Sequence, residues 1–133
     1  MAFILDTNIL IEMEKKNHSV IEQVDRLSEL HHQKPHIASL SVSELFYGTL
    51  SQPIRKQVAS LNKLRNYVVL NSSISSSIML ANIDNISTKT GRKIPPFDLF
   101  IASIAIDNDM HLVTLDKHFK NIPGLDVICI NPQ

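Results

Sequence analysis

The sequence predicts an α/β fold, a parallel sheet of about five strands covered on both faces by helices in three layers. Two patterns carry this reading. Short apolar runs recur along the chain, and the segments between them place apolar residues at helical spacing. Strands that alternate with helices become parallel neighbours, because each return has to cross over the sheet.

The first strand is FIL at 3–5, followed by HIAS at 36–39, YVVL at 67–70, HLVTL at 111–115 and LDVICI at 125–130. After the first strand, Val20, Val24 and Leu27 recur at helical spacing, with Ile21 and Leu30 beside them. A second helix opens after Pro53 and carries Ile54, Val58, Leu61 and Leu64. Ile74, Ile78, Ile83 and Ile86 mark a long helix running to about Gly91, a residue suited to the left-handed turn that ends helices. LFIASIAI at 99–106 is apolar nearly all round, which predicts a helix buried on several sides.

A chain of 133 residues suits one domain, 1–133, around one core. Lys+Arg and Asp+Glu number 13 each, so the formal net charge is zero. Bulk charge therefore gives no footing for nucleic-acid binding, which has to rest on local patches. The lone cysteine, Cys129, excludes an internal disulfide and fits a reducing, cytoplasmic setting. No segment has the length of a membrane span, and the N-terminus lacks the basic and apolar regions of a signal peptide.

In parallel sheets, ligands bind at the carboxyl ends of the strands, so the groups expected there matter most. Four are acids. Asp6 follows the first strand, Glu44 falls in the first turn of the helix after the second, Asp98 in the first turn of the buried helix, and Asp116 just past the fourth strand. Each alone has a structural explanation. Asp6 or Thr7 could cap a helix. Ser41 and Glu44 have the spacing of a capping box. Asp98, after Pro95 and Pro96, could complement a helix dipole, and Asp116 could shape a turn. Together they are harder to dismiss. Four carboxylates at one sheet edge, with no matching set of Lys or Arg in the same motifs, repel each other unless a cation lies between them. Oxygen ligands without His or Cys suit Mg²⁺ or Mn²⁺ rather than zinc.

FILDTNILI, SVSELFYG, PPFDLFIASIAI and LVTLDKHF, in that order, resemble the PIN-domain ribonucleases, and most closely their small VapC-like toxins of toxin–antitoxin pairs. The resemblance spans nearly the whole chain, including the closing LVTLDKHFKNIPGLDVI. It implies a PIN-like sheet in the order 3-2-1-4-5 and a metal-dependent endoribonuclease that leaves a 5′-phosphate and a 3′-hydroxyl. It implies Asp6, Glu44, Asp98 and Asp116 as catalytic, metal-binding acids, with Asp6 central on the middle strand. Asn8 and Thr114 match positions that support the site by hydrogen bonds. It further implies an RNA substrate such as tRNA or rRNA, an antitoxin partner and a homodimer. The departures are Ser43 and Leu45 beside Glu44, and Leu115 before Asp116 where a polar residue is common. A divalent ion in such a site activates water and stabilises charge on the leaving oxygen.

Other features carry less. His31, His32 and His36 have no spacing that aims all three at one point, and read as a solvated helix end. Asp107 and Asp109 read as a solvated turn, and Cys129 as a small core residue. Phe46 and Tyr47 could stack on bases, but their spacing with Leu45 and Leu50 favours packing in a core or a dimer interface. TKTGRK at 88–93 is the one basic run near a candidate motif, and Arg92 and Lys93 are its candidates for holding RNA phosphates. Apolar residues at 45–50 and 54–64 exceed what a small core needs, so this helical pair is expected to form a groove for an antitoxin peptide.

Two rival enzyme classes lack features they require. A haloacid-dehalogenase-like phosphotransferase needs a second Asp where Asn8 stands, and the chain is also too short for its usual cap. A receiver domain needs an acidic pair at the first strand and a late strand ending in Lys. A housekeeping RNA-processing nuclease, and a non-catalytic PIN-like module that binds RNA or protein, stay as alternatives.

Overall fold

A computed structural model describes residues 1–133. Five parallel strands form one sheet in the order β3-β2-β1-β4-β5, where β1 is Phe3–Leu5, β2 His36–Ala38, β3 Val68–Leu70, β4 His111–Thr114 and β5 Val127–Cys129. The central strand reads as an unbroken apolar run because both its faces are covered: Phe3, Ile4 and Leu5 are all fully buried. Register follows from this. Leu5 lies opposite Ile37 on one side and Val113 on the other, while Ile4 lies opposite Leu112.

Alternation along the strands divides the core in two. Phe3, Leu5, Ile37 and Val113 pack with Ile9 and Leu10 of α1 (Thr7–Glu14) and with Val20 and Val24 of α2 (His18–His31). Ile4, Ala38 and Leu112 face Ile83 of α5 (Ile74–Lys89) and Ile101, Ile104 and Ala105 of α6 (Pro96–Asp107). The expectation that α6 is buried on several sides holds, since Leu99 and the whole run from Ile101 to Ala105 are buried.

The remaining helices are α3 (Ser39–Tyr47) and α4 (Ile54–Lys63). No residue of α4 is buried, and Ile54, Val58 and Leu61 face solvent despite their helical spacing. Tyr47 is 78% exposed, so it is not a core residue. α5 ends as the glycine suggested. Gly91 has φ +75°, and the Arg92 and Gly91 amides donate back to the Ser87 and Thr88 carbonyls at 2.8 and 3.2 Å, the paired bonds of a Schellman turn.

The structure moves several boundaries. The helix at 7–14 has no counterpart among the expected elements, and β2 stops at Ala38 because Ser39 already belongs to α3. Asp107 is more than a solvated turn, since its carboxylate accepts bonds from Ser73 and Ser75 and ties the start of α5 to the end of α6. His31 and His32 end α2, whereas His36 opens β2, and the His31 ring lies 6.0 Å from Phe3 and 6.2 Å from His111. Cys129 is half-buried in β5. No helix is long and apolar enough to cross a membrane.

Candidate active site

Asp6, Glu44, Asp98 and Asp116 line one cleft of about 390 Å³, which also takes in Thr7, Asn8 and Ser41 but no Lys, Arg or His. The topology explains their meeting. Asp6 leaves the end of β1 and Asp116 comes two residues after β4, its neighbour in the sheet. Glu44 rises from α3 after β2, and α6 runs back against the strands, so its first turn brings Asp98 to the same edge.

Two of the expected local settings are different. Ser41 and Glu44 do not form a capping box: α3 begins at Ser39 after Ala38, with no side-chain cap, so Glu44 lies in the second turn. Asp98 follows a helix-to-helix junction rather than a strand, because α5 intervenes between β3 and α6.

The hydrogen bonds form two sets. Asp6 is 9% exposed, and its carboxylate accepts from the Thr7 amide and the Thr114 hydroxyl, both at 2.8 Å. The Thr114 oxygen in turn accepts from the Asn8 side-chain amide at 3.2 Å and the Asp116 backbone amide at 3.0 Å. Asn8 also accepts from the Leu115 amide at 3.3 Å, so Asn8 and Thr114 tie the ends of β1 and β4 together around Asp6. In the second set, the Thr7 hydroxyl donates to Glu44 at 2.7 Å and contacts the Ser41 hydroxyl at 2.8 Å. A hydroxyl has one proton, and since Thr7 gives it to Glu44, Ser41 is the donor to Thr7.

Burial pushes the Asp6 carboxyl up to about 6, with Asp98 and Glu44 adding to the rise and the Thr114 and Thr7 bonds opposing it. Burial, then Asp116 and Glu44, also raises Asp98, whose carboxylate receives no hydrogen bond from the chain. Asp116 goes the other way. The His118 amide, donating to it at 2.8 Å, holds its carboxyl below the usual range, and the His118 ring contributes from 2.8 Å. So Asp116 has a partner that the motif did not suggest. Three carboxylates are left without an ionic partner. No three His, Cys, Asp or Glu side chains are drawn together into a finished ligand cluster.

Arg92 and Lys93 do not line the acidic cleft. They line an adjoining one that shares Asp98 and Asp116 with it. Thr7 and Ser41 are the site residues that sequence reasoning cast only as helix caps. The spacing of Ser41 and Glu44 was the available signal, and it reflected a relay to a carboxylate instead.

A model of the PIN domain family matches residues 3–125. No curated protein matches the chain. Among solved structures, a chain of VapBC2 from Rickettsia felis, crystallised with a DNA fragment from its promoter, superposes with a TM-score of 0.86 at 26% identity, covering 98% of this chain and 100% of that one. A chain of VapBC-1 from nontypeable Haemophilus influenzae has a TM-score of 0.80 at 25% identity, covering 97% and 98%. A chain of DNA-bound VapBC from Salmonella typhimurium, at 24% identity, shares the fold with a TM-score of 0.82 over 97% and 98% of the two chains. The family match over most of the sequence and this likeness to VapC-type toxin structures agree with the strand order, and the chain belongs to the PIN domain family.

Proposed function

We propose that the protein is a metal-dependent endoribonuclease, the toxin of a toxin–antitoxin pair. One observation carries the catalytic part: four carboxylates line one cleft that contains no Lys, Arg or His. The donor set fits a hard divalent cation, Mg²⁺ or Mn²⁺, since every group offered is oxygen and the like charges call for a counter-charge. Asp6, Asp98, Glu44 and Asp116 would hold it. A cation bound there would supply a Lewis acid for the phosphoryl oxygens and lower the pKa of a bound water.

The chain's own residues position these acids. Thr114 and the Thr7 amide hold both oxygens of Asp6, and Asn8 orients Thr114. The Ser41–Thr7–Glu44 relay fixes Glu44 from across the cleft. Groups locked this way need no reorganisation when charge develops on a phosphodiester. Arg92 and Lys93, at the adjoining rim, supply cations for flanking phosphates.

The partner proposal rests on a second surface. A groove of about 330 Å³ between α1, α3 and α4 is lined by Ile11, Leu45, Phe46 and Leu61, and it shares Glu44 with the acidic cleft. The unburied apolar face of α4 extends it. An apolar helix-binding groove of this kind suits an antitoxin segment, in line with the VapBC complexes to which the fold is similar. Ile74, 83% exposed, and Ile78 one turn further along α5 offer a separate surface for a second copy of the chain.

The test is cleavage of a total tRNA and rRNA mixture by the pure protein. Cutting in Mg²⁺ or Mn²⁺, lost in EDTA and lost in Asp6→Asn, is expected. Cutting that persists in EDTA or in Asp6→Asn would overturn the proposal.

A further inference from the structure

Beside the acidic cleft lies a wider one of about 720 Å³, and Asp98, Asp116 and Pro95 belong to both. Its walls are the last turn of α5, the loop into α6, and the 3₁₀ turn Lys117–Asn121 after β4. The volume falls within the span of small-ligand pockets, about 300–1,000 Å³. Phe119 and Ile122, both nearly fully buried, give it a fixed apolar floor.

Of the polar groups that line it besides Asp98, Thr90, Asp116 and His118 are engaged within the chain, and four others are free. Ser87 is only 5% exposed, and it lines the cleft. Its carbonyl accepts from Thr90 and from the Arg92 amide, but its hydroxyl makes no hydrogen bond within the chain. The hydroxyl keeps its small exposure toward the cleft, where it is free to pair with a bound group. Asn121 stands at the mouth with a side-chain amide that also has no partner in the chain. Arg92 and Lys93 line the same cleft without an ion pair. The Schellman turn holds the Arg92 backbone against Ser87, so cation and hydroxyl belong to one rigid wall.

Apolar walls, a few groups able to read a base edge, and cations for a phosphate match the needs of an unpaired nucleotide, whose base is splayed out and recognised by its face and edges. We propose that this cleft receives one unstacked nucleobase of a single-stranded RNA, beside the phosphodiester held at the acids, so that this base selects the cleavage position. The last part rests on the nuclease reading above; the binding site does not.

Isotope-labelled full-length protein, in EDTA, is titrated with AMP, CMP, GMP, UMP and ribose 5-phosphate while backbone amide resonances are followed. One nucleotide is expected to shift the amides of Ser87, Thr90 and Asn121 with a Kd at least fivefold below that of the weakest. Ribose 5-phosphate, which offers the cations a phosphate but no base, should shift these three far less and bind more weakly than the preferred nucleotide. Ser87→Ala should weaken the preferred nucleotide about fivefold without lowering Tm, since the hydroxyl bonds to nothing in the chain. Equal affinity for all four nucleotides, a matching response to ribose 5-phosphate, or unchanged affinity in Ser87→Ala would overturn the proposal. So would a cleft silent to every nucleotide, which would leave it to a protein partner. A protein that discriminates nucleotides yet cuts no RNA would refute the nuclease reading and keep the pocket.

Discussion

Asp6 is under opposing demands. Burial and two neighbouring acids favour its neutral form, while hydrogen bonds from Thr7 and Thr114 favour the carboxylate. Removing such supporting bonds from a metal ligand typically costs roughly 10–100-fold in activity or metal affinity. Thr7→Val, which keeps the shape but frees Glu44 and Ser41, should fall in that range in a cleavage assay, and Thr7→Ser should restore most of it. Full activity in Thr7→Val would remove the relay from the account. Asp98 tests the acids differently. As a first-turn residue of α6 it interacts favourably with the helix dipole, so neutralising it should cost roughly 0.3–1 kcal/mol if that were its only role. As a member of a repelling set, raised by burial and by Asp116 and Glu44, it should instead relieve the fold when neutralised. Asp98→Asn is therefore expected to melt above wild type in EDTA and to gain much less from added Mn²⁺. A variant that melts lower and responds to Mn²⁺ as wild type does would return Asp98 to the helix.

Elements differed in how well their sequences announced them. β1 and α6 were legible because burial on both faces leaves an unbroken apolar signal. Gly91 marked the end of α5 because only a residue tolerant of positive φ suits that turn. The helix at 7–14 was announced only by its cap, Asp6, since it follows β1 with no connecting loop. The start of α3 was misplaced because Ser41 and Glu44 imitate a capping box, while the real start has no capping side chain. For α4 the helix was legible but its surroundings were not: periodicity reports an apolar face, not what covers it. The acids were visible as residues, yet the His118 contact to Asp116 was not, because one turn of 3₁₀ backbone creates it. Since α4 buries nothing, Val58→Glu should change stability by no more than about 0.5 kcal/mol while abolishing co-purification of a partner protein. A large loss of Tm would mean that the helix packs against the chain after all. Replacing Arg92 and Lys93 together by Ala should weaken RNA binding and lower its salt dependence by about two phosphate contacts. An unchanged salt slope would make them ordinary solvated residues.

For the molecule as a whole, the sheet serves to gather charge at one edge, and stability should register that. A rise of the Asp6 carboxyl from 3.8 to about 6 corresponds to on the order of 3 kcal/mol. Between those values the folded state binds more protons than the unfolded one, so this contribution is full below pH 3.8 and lost as pH rises through about 6. His31 and His36, held below the ordinary imidazole value of 6.5, act in the opposite sense. Subtracting the curve of Asp6→Asn removes them. In EDTA, the unfolding free energy of wild type minus that of Asp6→Asn should therefore decline between pH 4 and 6.5, and a difference that grows with pH would contradict the assignment of Asp6. The most direct test is the position of a cation. Crystals equilibrated with Mn²⁺ near neutral pH, measured at the manganese absorption edge, are expected to give an anomalous peak bonded to Asp6 and at least one of Glu44, Asp98 and Asp116. A fully loaded crystal with no peak in the acidic cleft, or with Mn²⁺ bound only elsewhere, would contradict it.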